Sequence, residues 1–189
     1  CAYTAVGFFD GIPPVIEYAL GFGTVVSGLV GVFCSVMIYH DTQRPFWNFP
    51  VSCVKFFGTT FGLALGALLM VQSVVAGEAP LAIGMIALIA VFTIKLVLEA
   101  TQLRAARQSE MTPAKKSALL MLKPLKPITI ARYSFGVMGM FSFAAVALGI
   151  LPVALSALGF GLLLIGELLE RVLFFKAVAA PKMPGAFTS

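Results

Sequence analysis

The sequence is poor in the residues that bind metals and form crosslinks: it has one histidine and three cysteines among 189 residues. Because bis-histidine ligation of a membrane haem needs two histidines, the single histidine, His40, excludes it within this chain. Cys1, Cys34 and Cys53 have neither the close pairing nor the spacing of a metal site. Cys34 and Cys53 lie in apolar runs, and we interpret them as small buried thiols. His40 is either a proton-handling residue at a membrane boundary or an ordinary solvated loop residue.

The sequence also leaves little material for a soluble domain. Hydrophobic residues make up 60% of the chain, the mean hydropathy is +1.01, and the apolar runs are separated by short polar breaks. About five membrane-spanning helices would use most of this length, so we do not expect this chain alone to catalyse a reaction on a polar substrate. The sequence predicts an all-α, polytopic transmembrane helical bundle that forms a single integral membrane domain over residues 1–189.

Proline and polar breaks set the limits of the predicted spans. The five spans cover residues 15–39, 51–76, 81–98, 133–151 and 153–178, and a basic cytoplasmic loop covers 101–132. Within this loop Thr112 and Pro113 are typical of a helix N-cap and first helical residue. The residues that follow are amphipathic until Pro124, which predicts a short helix lying along the lipid headgroups.

The charges are distributed asymmetrically along the chain. The net charge is +5, and all thirteen Lys and Arg residues fall on one side of the predicted bundle. In a soluble protein this charge would suggest a nucleic acid, but here the basic residues follow the positive-inside rule and no nucleic acid partner is expected. The opposite side holds only the acidic residues Asp10, Glu17 and Glu78. We therefore expect the N-terminal segment outside and the C-terminus in the cytoplasm.

Charged residues inside the predicted spans form the candidate site. At about 1.5 Å per residue, Lys95 and Glu167 each lie roughly 21 Å from the outer ends of their helices, so they could meet in the cytoplasmic half. Nearer the cytoplasmic surface are further charged residues: Lys55, Glu99, Glu170 and Arg171. Ionisable residues in spans usually face the bundle interior, a cavity or a partner charge, which makes this cluster a functional-site hypothesis.

The same charges also have a purely structural interpretation. Glu167 and Arg171 are four residues apart, as are Lys95 and Glu99, and neighbours at this spacing on a helix form ion pairs. Lys55 and Arg171 are also close enough to the membrane surface for their charged ends to reach water.

Three glycines, Gly58, Gly62 and Gly66, recur at every fourth position of the second span. This spacing leaves one helix face without side chains, so a neighbouring helix or a flat ligand can approach closely. We prefer the interpretation that the glycines serve helix packing.

Several segments taken together resemble a known family. They lie at residues 31–39, 44–47, 55–60, 166–171 and 180–185, and include Arg-Pro-Phe-Trp at 44–47 and Gly-Glu-Leu-Leu-Glu-Arg at 166–171. As a set they resemble the membrane-anchor subunit of the dimethyl sulfoxide reductase family, over residues 29–185. Members of that family have about eight helices, so the resemblance implies that these five are the C-terminal portion of such an anchor, and the first residue, a cysteine, agrees with a fragment or processed form.

The resemblance implies a haem-free, non-catalytic anchor in the inner membrane of a prokaryote that interacts with quinol or quinone, either menaquinone or ubiquinone. It implies two partner subunits. One is an iron-sulfur subunit that exchanges electrons with the anchor, and the other is a catalytic subunit carrying a molybdenum or tungsten bis-pterin (molybdopterin) cofactor. The histidine and acidic residue of the family's quinol site lie in earlier helices, so no residue of this chain corresponds to them.

The leading hypothesis is therefore a quinone-reactive anchor. Its expected quinone and proton route comprises Lys55, Lys95, Glu99, Glu167 and Arg171, and its expected docking residues are His40, Arg44 and Trp47. The charge distribution puts the docking face in the cytoplasm, which favours a relative with cytoplasmic catalytic subunits, such as a formate dehydrogenase-like enzyme. The alternatives are a passive anchor without a quinone site in this segment and a small transporter, although no inverted repeat supports a transporter.

Overall fold

The computed structural model describes residues 13–42, 47–77 and 79–177 of the chain. Within these ranges the protein is helical and has no strands, which confirms the predicted all-α fold class. The α-helices are α1 (Pro14–Asp41), α2 (Phe49–Ala76), α3 (Ala82–Leu103), α4 (Pro113–Leu122), α5 (Lys126–Ala147) and α6 (Ser156–Lys176). Two 3-10 turns, Arg104–Arg107 and Val153–Leu155, follow α3 and precede α6.

The helix ends follow from local sequence signals. Four helices have a proline in their first turn, where the missing N–H has no helical partner to lose: Pro14, Pro50, Pro113 and Pro127. The Asn48 side chain caps α2 by accepting a hydrogen bond from the Val51 N–H at 3.3 Å. Gly77 ends the same helix with a φ of 68°, a left-handed conformation that glycine adopts without a steric penalty.

Five of the helices, α1, α2, α3, α5 and α6, are long and apolar enough to cross a membrane, as predicted. The fourth of these begins earlier than the expected span of 133–151, because Pro127 starts α5 within the stretch assigned to the basic loop. Arg132 consequently lies inside this helix rather than in the basic loop expected at 101–132. The predicted amphipathic helix is confirmed as α4, with the Thr112 hydroxyl accepting a hydrogen bond from the Lys115 N–H at 3.2 Å.

Small residues let the spanning helices approach closely. A Cβ added to Gly139 of α5 would lie 2.7 Å from the Leu163 side chain and 3.0 Å from the Gly159 carbonyl oxygen of α6. Helix α2 packs against α3 and α6, and α3 also contacts α5. Helices α2, α3, α5 and α6 therefore surround a common interior.

The glycine stripe of α2 serves helix packing, as we preferred from the sequence. A Cβ at Gly62 would lie 2.9 Å from the Phe92 ring of α3, and a Cβ at Gly66 would lie 3.2 Å from the Phe160 ring of α6. Both glycines are buried. The cleared face of α2 is occupied by side chains of the neighbouring helices.

Helix α1 lies at the edge of the bundle and packs against α2. Most of its apolar side chains are exposed, as on a helix that faces lipid. Cys34 is among the exposed residues, so the interpretation of that thiol as buried was wrong, while Cys53 is half-buried. At the end of α1 the Tyr39 ring packs against aromatic rings of α2 and α6.

One end of the bundle, which we call the basic end, is formed by the ends of α1, α3 and α6, the starts of α2 and α5, and α4. An apolar cluster around Met121 and Phe174 joins these elements. The exposed basic residues in the described ranges lie at this end: Arg104, Arg107, Lys116, Lys123, Lys126 and Lys176. The distribution agrees with the asymmetry predicted from the sequence.

Candidate functional site

Polar side chains from four helices meet inside the bundle, and we call them the ionic network. Its members are Thr59 of α2, Lys95 and Glu99 of α3, Arg132 of α5, and Glu167 and Glu170 of α6. The charged members expose at most 2% of their side chains. A lone charge is costly in this environment, so each charged group is stabilised by an opposite charge on another helix.

Lys95 forms one half of the network. Its aliphatic stem crosses α2 at Gly58, where a Cβ would lie only 2.8 Å from Lys95 Cδ. The ammonium group donates hydrogen bonds to Thr59 Oγ1 at 2.7 Å and to Glu170 Oε2 at 2.8 Å. It also forms a salt bridge with Glu167. The side chain thus connects α3 with both α2 and α6.

Arg132 forms the other half. Its Nη2 donates to Glu167 Oε1 at 2.9 Å and to Glu99 Oε1 at 3.2 Å, and lies 3.9 Å from Glu170 Oε2. Glu167 therefore uses one carboxylate oxygen for Arg132 and the other for Lys95. This residue is the centre of the network.

Two glycines make room for the Arg132 guanidinium between α5 and α6. A Cβ at Gly136 and a Cβ at Gly166 would each lie 3.2 Å from Arg132 Nη1. The Gly166 position is also closely approached by the α5 backbone, since its Cβ would lie 3.4 Å from Gly136 N. The fully buried guanidinium depends on both small residues.

The network reaches a partly covered seam between α2 and α6. Arg171 is half-buried there, and its Nη2 donates to Thr59 Oγ1 at 3.1 Å and to the Lys55 carbonyl oxygen at 3.4 Å. Its guanidinium carbon lies 3.8 Å from the centroid of the Phe56 ring, a cation–π contact. Thr59 links this seam to the interior, because its hydroxyl lies within hydrogen-bond distance of Glu167.

Lys55 lies beside the ionic network, on the side nearest the basic end of the bundle. It is buried, its ammonium group lies 5.6 Å from the centroid of the Phe174 ring, and it interacts electrostatically with Glu170 and Glu99. Four basic side chains thus face three carboxylates in this region: Lys55, Lys95, Arg132 and Arg171 against Glu99, Glu167 and Glu170. The excess of basic groups favours acceptors of hydrogen bonds and negative charge as ligands.

Several buried polar atoms of the region have no hydrogen-bond partner within the described part of the chain. They are Glu99 Oε2, Gln102 Oε1, Arg132 Nε and Nη1, Glu170 Oε1 and Arg171 Nη1. Buried polar groups are nearly always satisfied by protein, water or ligand. This set contains both donors and acceptors of hydrogen bonds.

The structure brings all five predicted route residues to one region of the bundle. Lys95, Glu99 and Glu167 belong to the ionic network, while Lys55 and Arg171 border it. The pairing differs from the structural interpretation considered above. The observed salt bridges join different helices, whereas those expected at a spacing of four residues are not among them.

Three members of the network were absent from the predicted route. Arg132 was assigned to the loop, although Pro127 in the sequence is a helix-start signal that would have placed it inside a span. Glu170 is three residues after Glu167, a spacing that puts both on one helix face. Thr59 is uncharged, whereas the predicted route was based on charged residues in the spans.

The predicted docking residues lie at the basic end where the structure describes them. His40 is exposed, and its ring lies 5.8 Å from the Phe49 ring. Trp47 is buried, and its indole N–H donates to the Phe174 carbonyl oxygen at 3.1 Å. Arg44 lies outside the described residues. The Trp47 ring therefore fixes the start of α2 against α6.

The fold and the network together define a multi-pass helical membrane protein with ion pairs joining its spans. In the described ranges no group of three or more His, Cys, Asp or Glu side chains is arranged to hold a metal ion. The family model described as DMSO reductase anchor subunit (DmsC) matches residues 3–176, and the chain belongs to this family. The protein is thus a membrane anchor of a DMSO reductase-type complex. Comparisons with curated proteins and with solved structures gave no match.

Proposed function

We propose that this anchor interacts with quinol or quinone at the seam between α2 and α6, and that the ionic network exchanges the accompanying protons. The observation that carries the proposal is the continuous set of contacts from half-buried Arg171 through Thr59 to fully buried Glu167. Oxidation of a bound quinol supplies two electrons to the iron-sulfur subunit and two protons to the anchor, and reduction of a quinone reverses both. Two lysines and three carboxylates are suited to exchanging those protons, while the two arginines keep their positive charge.

The seam has the chemistry that a quinone head group requires. Its two oxygens need hydrogen-bond donors within an apolar surround. Arg171 Nη1 is buried without a protein partner in the described ranges, and the Thr59 hydroxyl lies beside it. The neighbouring Phe56 ring offers an apolar surface for the quinone ring.

The carboxylates extend from the seam toward the basic end. Arg132 joins Glu167 to Glu99, and Gln102 lies one turn beyond Glu99 on α3. Glu99 Oε2 and Gln102 Oε1 both have unused acceptor capacity toward the described protein. We infer that protons leave or enter by this series of groups, with water between those that do not touch.

The basic end is the proposed docking face for the iron-sulfur subunit and, through it, the molybdopterin catalytic subunit. Its exposed Lys and Arg residues complement an acidic partner surface. His40 and Trp47 lie at this end, and Arg44 is the third residue that we expect to take part in docking. By the positive-inside rule this face would be cytoplasmic, in the inner membrane of a prokaryote.

Glu167→Gln tests the proton route in the assembled complex. Because this change removes the proton-exchanging group at the centre of the network, we expect quinol-dependent turnover per complex to fall by about 10²-fold or more. Thr59→Val leaves every charge in place. It should also lower the quinol-dependent rate, but by a smaller factor than Glu167→Gln. The measurement is the steady-state rate with quinol as donor.

Two controls separate the proton route from structural damage. A soluble redox dye that supplies electrons directly to the iron-sulfur subunit should support unchanged rates in both variants. Glu17→Gln, the matched change at an exposed residue in the first turn of α1, should leave the quinol rate unchanged. Wild-type quinol rates in both network variants would instead identify the passive anchor.

The passive anchor is the second candidate function. The almost complete burial of the ionic network favours it, because a buried cluster of ion pairs can also act only to stabilise the fold.

A further inference from the structure

Helix α4 is fixed to the basic end by one face. Ser117, Ala118 and Met121 are buried, and Met121 belongs to the apolar cluster that joins the helix ends. The Thr129 hydroxyl of α5 donates to the Met121 carbonyl oxygen at 2.9 Å. Helix α4 therefore packs where α3 ends and α5 begins, next to the ends of two helices long enough to cross a membrane.

The opposite side of α4 carries a groove of about 390 Å³. Its lining comprises Met111, Lys116, Leu119, Leu120, Lys123 and Pro124. Four of these follow the spacing i, i+3, i+4 and i+7, so a lysine stands at each end of an apolar stripe about 10 Å long. Both lysines are exposed.

We propose that this groove binds one anionic phospholipid, with an acyl chain against Leu119 and Leu120 and the phosphate held by Lys116 and Lys123. The groove combines an apolar floor with positive charge at the height of the lipid headgroups. That combination matches the two parts of such a lipid. A zwitterionic lipid offers the same acyl chain without net charge, so it should bind less tightly. This inference does not depend on the quinone proposal.

A neighbouring concavity provides a matched control. It is lined by Arg104 and Arg107 together with Ala100, Leu103, Ala106 and Leu122, and has a volume of about 410 Å³. Both arginines are exposed at the same end of the bundle. Substituting this pair removes the same amount of charge from the basic end and leaves the lysine groove intact.

The experiment measures lipid retained by the purified anchor complex after exchange into detergent containing phosphatidylglycerol or phosphatidylcholine, using native mass spectrometry. Wild-type protein should retain one phosphatidylglycerol in preference to phosphatidylcholine. Lys116→Gln with Lys123→Gln should weaken this retention by about fivefold for each lysine. Arg104→Gln with Arg107→Gln should retain it within twofold, and Lys116→Arg with Lys123→Arg should behave as wild type.

Four outcomes would overturn the proposal. Equal loss in the lysine and arginine pairs would mean that diffuse charge, not a site, attracts the lipid. Equal retention of phosphatidylcholine would exclude recognition of the anionic headgroup. If millimolar glycerol phosphate displaces the bound phosphatidylglycerol as well as added lipid does, the groove is a site for soluble anions instead. Crosslinking of a partner subunit's acidic segment to the groove lysines in the complex would show that protein occupies it.

Discussion

Arg132 is the residue at which a single substitution should cost the most stability. Arg132→Gln leaves Glu99 and Glu167 buried with less compensating charge, and breaking a buried pair in this way costs about 3–5 kcal/mol. We expect unfolding in mixed micelles to begin at a much lower denaturing-detergent fraction than in wild type. Arg104→Gln, at an exposed arginine of the same end, should shift the transition by less than about 0.5 kcal/mol.

The conservative change at this position separates charge from shape. Arg132→Lys keeps one positive charge but presents a single ammonium group where the guanidinium reaches Glu99 and Glu167 together. Its stability should fall between those of wild type and Arg132→Gln. Wild-type stability in Arg132→Gln would contradict the stabilising role assigned to the network.

At the scale of the helices, the close contact between α5 and α6 depends on a glycine, Gly139. In Gly139→Ala the new Cβ meets the Leu163 side chain and the Gly159 carbonyl oxygen, so the two helices must separate. Overpacking of this kind costs about 1–3 kcal/mol, measurable in the same unfolding assay. Gly161→Ala is the matched control, because a Cβ there has nothing within 4 Å. A control as unstable as Gly139→Ala would mean that helix packing is not the cause.

Elements were predicted from the sequence more fully than the contacts between them. Apolar runs located all five spans, and Thr112 with Pro113 located α4, because these signals are local. The depth estimate brought Lys95 near Glu167. The interhelical pairing of Arg132 could not be derived, because it depends on how α5 and α6 pack around Gly136 and Gly166. Spacing along one helix gives no information about such neighbours.

At the scale of the whole molecule, the basic end predicts how the protein is oriented in the membrane. In a variant without native cysteines, Ser109→Cys should react with a membrane-impermeant maleimide only from the cytoplasmic face, and Ala79→Cys only from the opposite face. Both positions are exposed, and they lie at opposite ends of the bundle. Inside-out and right-side-out vesicles supply the two faces. The reverse pattern would place the basic end, and with it the proposed docking surface, outside the cytoplasm.

The position of Glu167 and Glu170 on α6 has a consequence for biogenesis. Both carboxylates that contact Lys95 belong to the last spanning helix of the described chain. During synthesis the ribosome therefore delivers the Lys95 ammonium group to the bilayer well before its counter-ions. Insertion of α6 is therefore the step that supplies the partners of the Lys95 ammonium group, and until then this charge lies in the bundle without them.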